Sequence, residues 1–276
     1  MEKKPLVVVN GLVRKDAIAY LKELVDVRQW TEKTVMPRET LKEWLVDADG
    51  LWCVRPLDVD GDLVKNAPSL KVIAQAAVGY DNVKIDELTA AGIPYGNTPG
   101  VLNETVAELA FTLIATASRR ILENANFVKE GRWAQRPSNI KGFDLSRRTL
   151  GIIGMGAIGV SISRRARAFG MTVVYHNRNQ RIDDKIHKTT YMELDDLLAT
   201  SDVVCVMAPL TDETYHICDE AFFKKMKNTA LFVNVGRGPI VDTDALINAL
   251  KTGEIDYAAL DVTDPEPLPA DHPLLD

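Results

Sequence analysis

Cysteine is scarce in this chain. Cys53, Cys205 and Cys218 are the only three in 276 residues. An odd number, without the paired spacing of a metal site, argues against a disulfide framework and against a cysteine-based metal centre. Cys53 and Cys205 stand inside apolar runs and read as buried free thiols, so the expected compartment is reducing and cytoplasmic. Long apolar runs are missing as well. None approaches the length of a membrane span, and the opening MEKKPLVVVN holds an apolar run too short for a signal peptide. Positive charge is not in excess: the net charge of −6 gives no support for nucleic acid or an anionic membrane as partner. There is no internal repeat and no low-complexity tract. Histidine is sparse, limited to His176, His187, His216 and His272.

What the chain does have is one organised stretch, TLGIIGMGAIGVSISRRARAFGMTVVYHNR, from Thr149 to Arg178. Leu150 to Ile153 reads as a buried strand. Gly154, Gly156 and Gly159 follow at G-x-G-x-x-G spacing. A helix comes next, with Ile158, Ile162, Ala166 and Phe169 on one face. Gly170 stops it, and Thr172 to Tyr175 reads as a second strand. The glycine spacing alone also fits a tight turn in an unrelated α/β protein. Between two strands and a helix it predicts a dinucleotide site. Gly154 allows the turn, Gly156 lets a pyrophosphate approach the backbone, and Gly159 lets the helix lie close to the strand. The positive end of the helix then holds the phosphates.

The second strand ends in His176-Asn177-Arg178, with no carboxylate before Asp183. An NAD site usually places Asp or Glu there for the ribose 2′-hydroxyl. Arg178 would instead attract a 2′-phosphate, so the reading leans to NADP(H). The alternative is a solvated Arg178, with NAD bound without the usual acid.

Before this stretch, strands are expected at Leu6 to Val9, Leu51 to Val54 (closed by Arg55-Pro56) and Leu70 to Ala76, with another short one after Pro94. Helices are expected at Arg14 to Val25, Arg38 to Val46 and Ile85 to Ala91. Asn97-Thr98-Pro99-Gly100 is a strong break and the expected domain boundary, giving domains at 1–98 and 99–276. Helices follow at Asn103 to Thr116 and Arg120 to Lys129, then a loop to Lys141. The wide apolar face of the first could cover the chain's own sheet or another subunit. Further strands are expected at Asp202 to Met207, Ala230 to Val235 and Tyr257 to Leu260, and helices at Ala221 to Met226 and Asp242 to Leu250. Alternating strands and helices predict an α/β protein of two doubly wound parallel sheets.

In such sheets ligands bind outside the carboxyl ends of the strands. Those ends carry Gly154 to Ile158, Asn177-Arg178, Pro209-Leu210, Gly236-Arg237 and Asp261. Arg237 sits between two glycines, which suggests a free backbone and an unshielded side chain. It could grip a carboxylate or polarise a carbonyl, or be a surface arginine in a turn. Glu266, between Pro265 and Pro267, could orient a catalytic histidine or be a solvated loop residue.

Here the chain resembles the D-isomer-specific 2-hydroxyacid dehydrogenase family, most of all its glyoxylate and hydroxypyruvate reductase branch. The matching stretches are AAVGYDNVKID (76–86), NETVAELAFTLI (103–114), TLGIIGMGAIG (149–159), APLTDETYHI (208–217), NVGRGPIVD (234–242) and AALDVTDPEPLPADHPLLD (258–276). The resemblance implies a flavodoxin-like substrate domain and a Rossmann dinucleotide domain. It implies that Arg237 binds the substrate's carboxylate and carbonyl, and that Glu266 partners the acid–base histidine. Val78 and Gly79 would offer backbone N–H groups to the carboxylate, with Arg55 where some members place a substrate arginine. On the cofactor side it implies Met155, Gly156, Ala157 and Ile158 at the phosphates, Asn177 and Arg178 at the ribose, and Pro209 and Thr214 beside the adenine. Val235, Gly236, Arg237 and Asp261 would border the nicotinamide.

The implied reaction is reduction of a small 2-oxo acid by NAD(P)H, with no metal and with closure of the domains about Asn97 to Gly100. A homodimer through Asn103 to Lys129 is a further implication. The rival readings are an NAD-dependent dehydrogenase of another D-2-hydroxy acid, such as D-lactate or 3-phosphoglycerate, and a non-catalytic dinucleotide sensor. A phosphorylated substrate would need more cations near Arg55, and Pro56-Leu57 offers none. Two departures stand out. Ala157 occupies a position where relatives often carry Arg or His, so one phosphate contact is expected to be missing. The family's acid–base histidine belongs to a Pro-His-Ile-Gly-type motif that residues 1–276 do not contain, and the expectation is a longer chain that supplies it with a closing helix.

Overall fold

The computed structural model describes residues 3–55, 57–134 and 140–275. Pro56, expected to close a strand, and residues 135–139 of the expected loop lie outside the described residues, as does Asp276. The chain divides into two units, Met1–Val101 and Leu102–Asp276.

The first unit runs β1 (Leu6–Val9), α1 (Lys15–Leu24), β2 (Asp26–Gln29), α2 (Arg38–Leu45), β3 (Gly50–Cys53), α3 (Gly61–Lys65), β4 (Val72–Gln75), α4 (Ile85–Ala90) and β5 (Tyr95–Gly96). Its strands pair in parallel in the order β2-β1-β3-β4-β5. This is the flavodoxin-like order. Val8, Leu41, Leu45, Leu51, Leu63, Ile73 and Leu88 form its core. The edge strand β2 was not expected. Its residues, Asp-Val-Arg-Gln, are mostly polar, and it follows α1 almost without a break. Neighbouring backbone rather than side-chain character makes it a strand, through in-register pairing with β1.

The second unit opens with α5 (Asn103–Ser118) and α6 (Ile121–Lys129). It continues with β6 (Thr149–Ile153), α7 (Ala157–Ala168), β7 (Thr172–His176), α8 (Asp184–His187), β8 (Thr190–Tyr191), α9 (Leu194–Thr200) and β9 (Val203–Val206). It ends with α10 (Glu220–Lys225), β10 (Leu231–Asn234), α11 (Thr243–Thr252) and β11 (Tyr257–Leu260). All pairings are parallel in the order β11-β10-β9-β6-β7-β8, which is the Rossmann order of two mononucleotide halves.

Alternate strand residues point to opposite faces, and each face has its own core. Leu150, Ile152, Val173, Tyr175, Cys205 and Val233 meet α5 and α7 on one side. Ile153, Val174, Val204, Val206 and Phe232 meet Phe222, Phe223 and Leu246 on the other. This arrangement covers part of the apolar surface of α5. Ala107, Ala110, Phe111 and Ile114 are buried against the unit's own sheet. Helix starts are fixed by side chains where the sequence offers them: Asp219 accepts from Phe222 N, and Asp242 from Ala245 N.

All three cysteines are buried and free. Burial disfavours the thiolate. It pushes Cys53 and Cys205 up from 9.0 to about 12, and raises Cys218 too. Their contribution to stability is therefore present below the unfolded value of 9.0 and is lost as pH rises toward 12. Iodoacetamide at neutral pH should leave all three unmodified in the folded chain. Alkylation of Cys53 or Cys205 as fast as in a denatured control, read by mass spectrometry, would contradict this.

Candidate active site at the strand ends

The turn after β6 shows what each glycine does. Gly154 has φ +101°, and a Cβ on it would lie 2.5 Å from Ala208 N and 2.6 Å from the Met207 carbonyl carbon. Both are backbone atoms at the end of β9, so no side chain fits. A Cβ on Gly159 would meet Gly154 O at 2.8 Å, which brings α7 against the turn. A Cβ on Gly156 would meet nothing within 4 Å. That open position faces the start of α7, where Gly156 is the cap residue and contributes no side chain. Among the described residues, the N–H groups of Ala157, Ile158 and Gly159 have no hydrogen-bond partner. Unpaired N–H groups at the start of a twelve-residue helix fit the pyrophosphate of a dinucleotide.

Met155 differs from its neighbours. Its N–H donates to Asn177 Oδ1 at 2.6 Å, and its carbonyl accepts from Arg181 Nη1 at 2.9 Å. Met155 shapes the turn from the end of β7, and the donors left over are those of Ala157, Ile158 and Gly159. Asn177, which the resemblance puts at the ribose, thus has its oxygen engaged.

Arg178 is exposed and makes no hydrogen bond or ion pair among the described residues. The Glu213 carboxyl is held below its ordinary value, mainly by Thr211, with Arg178 adding to the effect. Arg181 is a residue that sequence reading passed over. Its Nε and Nη2 hold Asp183 at 2.8 and 2.7 Å. That hydrogen-bonded arginine is the main reason the Asp183 carboxyl falls to about 2. So the charge of Arg181 is matched locally, whereas that of Arg178 faces solvent. The only available signal was the Arg-Ile-Asp spacing. Thr214 has its hydroxyl occupied inside its own loop: it donates to Pro209 O at 2.7 Å and accepts from Thr211 N at 2.8 Å.

Arg237 follows β10, and the residue that holds its turn is Asn234, only 1% exposed. Asn234 Oδ1 accepts from Gly236 N at 3.0 Å, and its Nδ2 donates to Arg237 O at 2.9 Å. A buried amide left unpaired costs about 1–3 kcal/mol, so the turn and the amide move together or not at all. The two flanking glycines do not serve backbone freedom, contrary to expectation. Arg237 is extended, at φ −142° and ψ 145°. A Cβ on Gly238 would lie 1.9 Å from Thr263 O, and one on Gly236 would lie 3.0 Å from Ala208 O. The glycines allow close approach of neighbouring backbone. The Arg237 side chain is half-buried, with Nη1 donating to Gly236 O at 2.8 Å, so it is not unshielded either. Val235 is buried beside it.

The contact of Gly238 with Thr263 sets the Arg237 turn against the segment that leads to Glu266. That segment is tied by Thr243 Oγ1 donating to Asp264 O at 2.8 Å and by Thr263 Oγ1 donating to Pro265 O at 2.9 Å. Glu266 itself is exposed. Asp261 follows β11, and its N–H donates to Asn234 O at 3.0 Å. Arg237, Asp261 and the Glu266 segment therefore share one end of the sheet. The four histidines are occupied elsewhere. His176 Nδ1 pairs with Met192 O, His187 Nε2 with Asp183, and His272 Nδ1 accepts from Leu274 N. His216 stacks on Tyr215 with centroids 4.0 Å apart.

In the first unit, Arg55 and the Val78-Gly79 loop follow the neighbouring strands β3 and β4. Asn10, 3% exposed, holds the Arg55 backbone: its Oδ1 accepts from Val54 N at 2.7 Å and from Arg55 N at 3.2 Å. The Arg55 side chain is exposed. Among the described residues, no group of His, Cys, Asp and Glu could hold a metal ion, and no helix is long and apolar enough to cross a membrane.

Residues 111–276 match the model of the D-isomer specific 2-hydroxyacid dehydrogenase NAD binding domain. A glyoxylate reductase of Aeropyrum pernix is 42% identical over 278 residues, covering 99% of this chain and 83% of the other. Among solved structures, a glyoxylate reductase from Paecilomyes thermophila has a TM-score of 0.90 at 32% identity, over 100% of this chain and 86% of the other. An NADPH-dependent glyoxylate/hydroxypyruvate reductase from Sinorhizobium meliloti, in complex with NADP and malonate, has a TM-score of 0.87 at 29% identity, over 99% and 85%. The chain belongs to the D-isomer-specific 2-hydroxyacid dehydrogenase family of NAD(P)-dependent oxidoreductases.

Proposed function

We propose that this protein reduces a small 2-oxo acid, glyoxylate or hydroxypyruvate, to the 2-hydroxy acid, and that it prefers NADPH to NADH. The observation that carries the reading is Arg237, held by buried Asn234 at the same sheet end as the open glycine turn. The Ala157, Ile158 and Gly159 N–H groups bind the pyrophosphate. When bound, the nicotinamide supplies a hydride to the substrate's carbonyl carbon. Arg237 binds the carboxylate and the carbonyl oxygen, and stabilises the negative charge that grows on that oxygen. In the first unit, the Val78 and Gly79 N–H groups bind the carboxylate, and Arg55 is available to the same class of ligand. Asp261, Val235 and Gly236 border the nicotinamide, and Pro209 and Thr214 form the adenine side. Glu266 would orient the imidazole of the family's acid–base histidine, which would give the proton to the carbonyl oxygen. Residues 1–276 hold no Pro-His-Ile-Gly-type motif, and the four histidines present are engaged elsewhere.

Arg237→Ala should lower kcat/KM for glyoxylate on the order of 10²–10³-fold, with NADPH affinity largely intact in a fluorescence titration. Near-normal turnover would remove the assignment.

Arg178 favours NADPH because its exposed guanidinium, just past the end of β7, makes no hydrogen bond or ion pair among the described residues. A hydrogen bond to a charged group contributes about 1.5–3 kcal/mol, or roughly 10–100-fold in affinity. Arg178→Ala should weaken NADPH by that factor and leave NADH nearly unaffected. Equal loss for both cofactors would contradict the preference.

A homodimer through α5 and α6 completes the reading, supported by the exposed Leu109, Ile121, Leu122 and Val128. Leu122→Asp should halve the mass seen by light scattering. A wild-type chain that already runs as a monomer would remove this part.

A further inference from the structure

Three consecutive carbonyls after β4 are tied down. Ala77 O accepts from Thr98 N at 3.0 Å. Val78 O accepts from Asn97 Nδ2, and Gly79 O from Gln75 Nε2, both at 2.8 Å. Meanwhile the N–H groups of Ala77, Val78 and Gly79 have no hydrogen-bond partner among the described residues.

These facts are coupled by the geometry of the peptide. A trans peptide is planar, with its N–H opposite its C=O, and the peptides of this loop are trans. Fixing the Ala77 carbonyl therefore fixes the direction of the Val78 N–H. Fixing the Val78 carbonyl does the same for the Gly79 N–H. Both carbonyls are held by the Asn97-Thr98 segment, so both N–H groups are directed away from it. Two successive N–H groups facing one way make a concave site for an anion.

We propose that Asn97 is a positioning residue: its amide holds the Val78 carbonyl so that the Val78 and Gly79 N–H pair is set in advance to receive the substrate carboxylate. The proposal rests on the reading that this pair binds that carboxylate. Gln75 secures the far end of the loop. It is 9% exposed and is braced by Asn82, whose Oδ1 accepts from Gln75 Nε2 at 3.2 Å and whose Nδ2 donates back to Gln75 Oε1 at 3.3 Å. The Asn97 to Gly100 segment, which sequence reading treats as a boundary and hinge, is by this account also part of the substrate site.

Asn97→Ala removes the donor. Asn97→Asp keeps the shape but places an acceptor against the Val78 carbonyl, and it serves as the second variant if Asn97→Ala fails to fold. Oxalate, a non-reducible carboxylate, is the calorimetric probe. Either variant should weaken oxalate and raise KM for glyoxylate by about tenfold or more, corresponding to roughly 1.4 kcal/mol. NADPH affinity and the melting temperature should stay close to wild type, which separates positioning from general loss of structure. Unchanged oxalate affinity in a folded variant would overturn the proposal, and so would equal losses of oxalate and NADPH alongside a lower melting temperature. A wild-type protein that binds oxalate but reduces no 2-oxo acid would remove the reductase reading. The clamp would then stand if Asn97→Ala weakened oxalate. A wild-type protein that does not bind oxalate at all would overturn it.

Discussion

A parallel strand covered on both faces has only its end left to meet a ligand. Here β9 and β10 are buried along their whole length, and β6 nearly so. Polar chemistry is pushed to the residues that follow each strand. Those residues sit on loops, and a loop is accurate only if something holds it. In this chain the holding is done repeatedly by amide side chains: Asn10 on Arg55, Gln75 and Asn97 on the Val78-Gly79 loop, Asn177 on the glycine turn, and Asn234 on the Arg237 turn. An amide both donates and accepts without carrying charge. It can therefore fix a backbone segment in a half-buried place without the desolvation cost of an ion.

The parts of the fold governed by side-chain pattern were legible in the sequence. The apolar runs at Leu6 to Val9, Leu150 to Ile153 and Tyr257 to Leu260 are strands within a residue of the expected ends. The periodic segments at Arg38 and Asp242 are helices, the latter capped by Asp242. The parts governed by neighbours were not legible. β2 and the two-residue β8 are edges whose strand character comes from the adjacent backbone. The short α3, α8 and α9 contain too few turns for a period to show.

The candidate site follows the same division. The glycine fingerprint could be read, and the tight turn expected at Gly154 and the close helix packing expected at Gly159 match what a Cβ would meet there. The Gly-Arg-Gly turn was misread, because a glycine needed for close approach looks the same in sequence as one needed for freedom. Only the nearness of Thr263 O to Gly238 tells them apart. Arg181 was missed because its effect depends on Asp183 matching its charge, a pairing that only the folded loop shows. The amides were missed for a related reason. Asn and Gln give no periodic signal, and their worth lies in partners distant along the chain, such as Asn97 with Val78.

The roles proposed for Arg237, Val78 and Gly79 all serve hydride transfer to the carbonyl carbon of a 2-oxo acid. The most direct measurement uses NADPH deuterated at the transferring position of the nicotinamide, with glyoxylate as acceptor and the product examined by NMR. The expected product is glycolate with one deuterium on its C2 carbon for each NADPH consumed. Cofactor binding without deuterium in any 2-hydroxy acid product would contradict it.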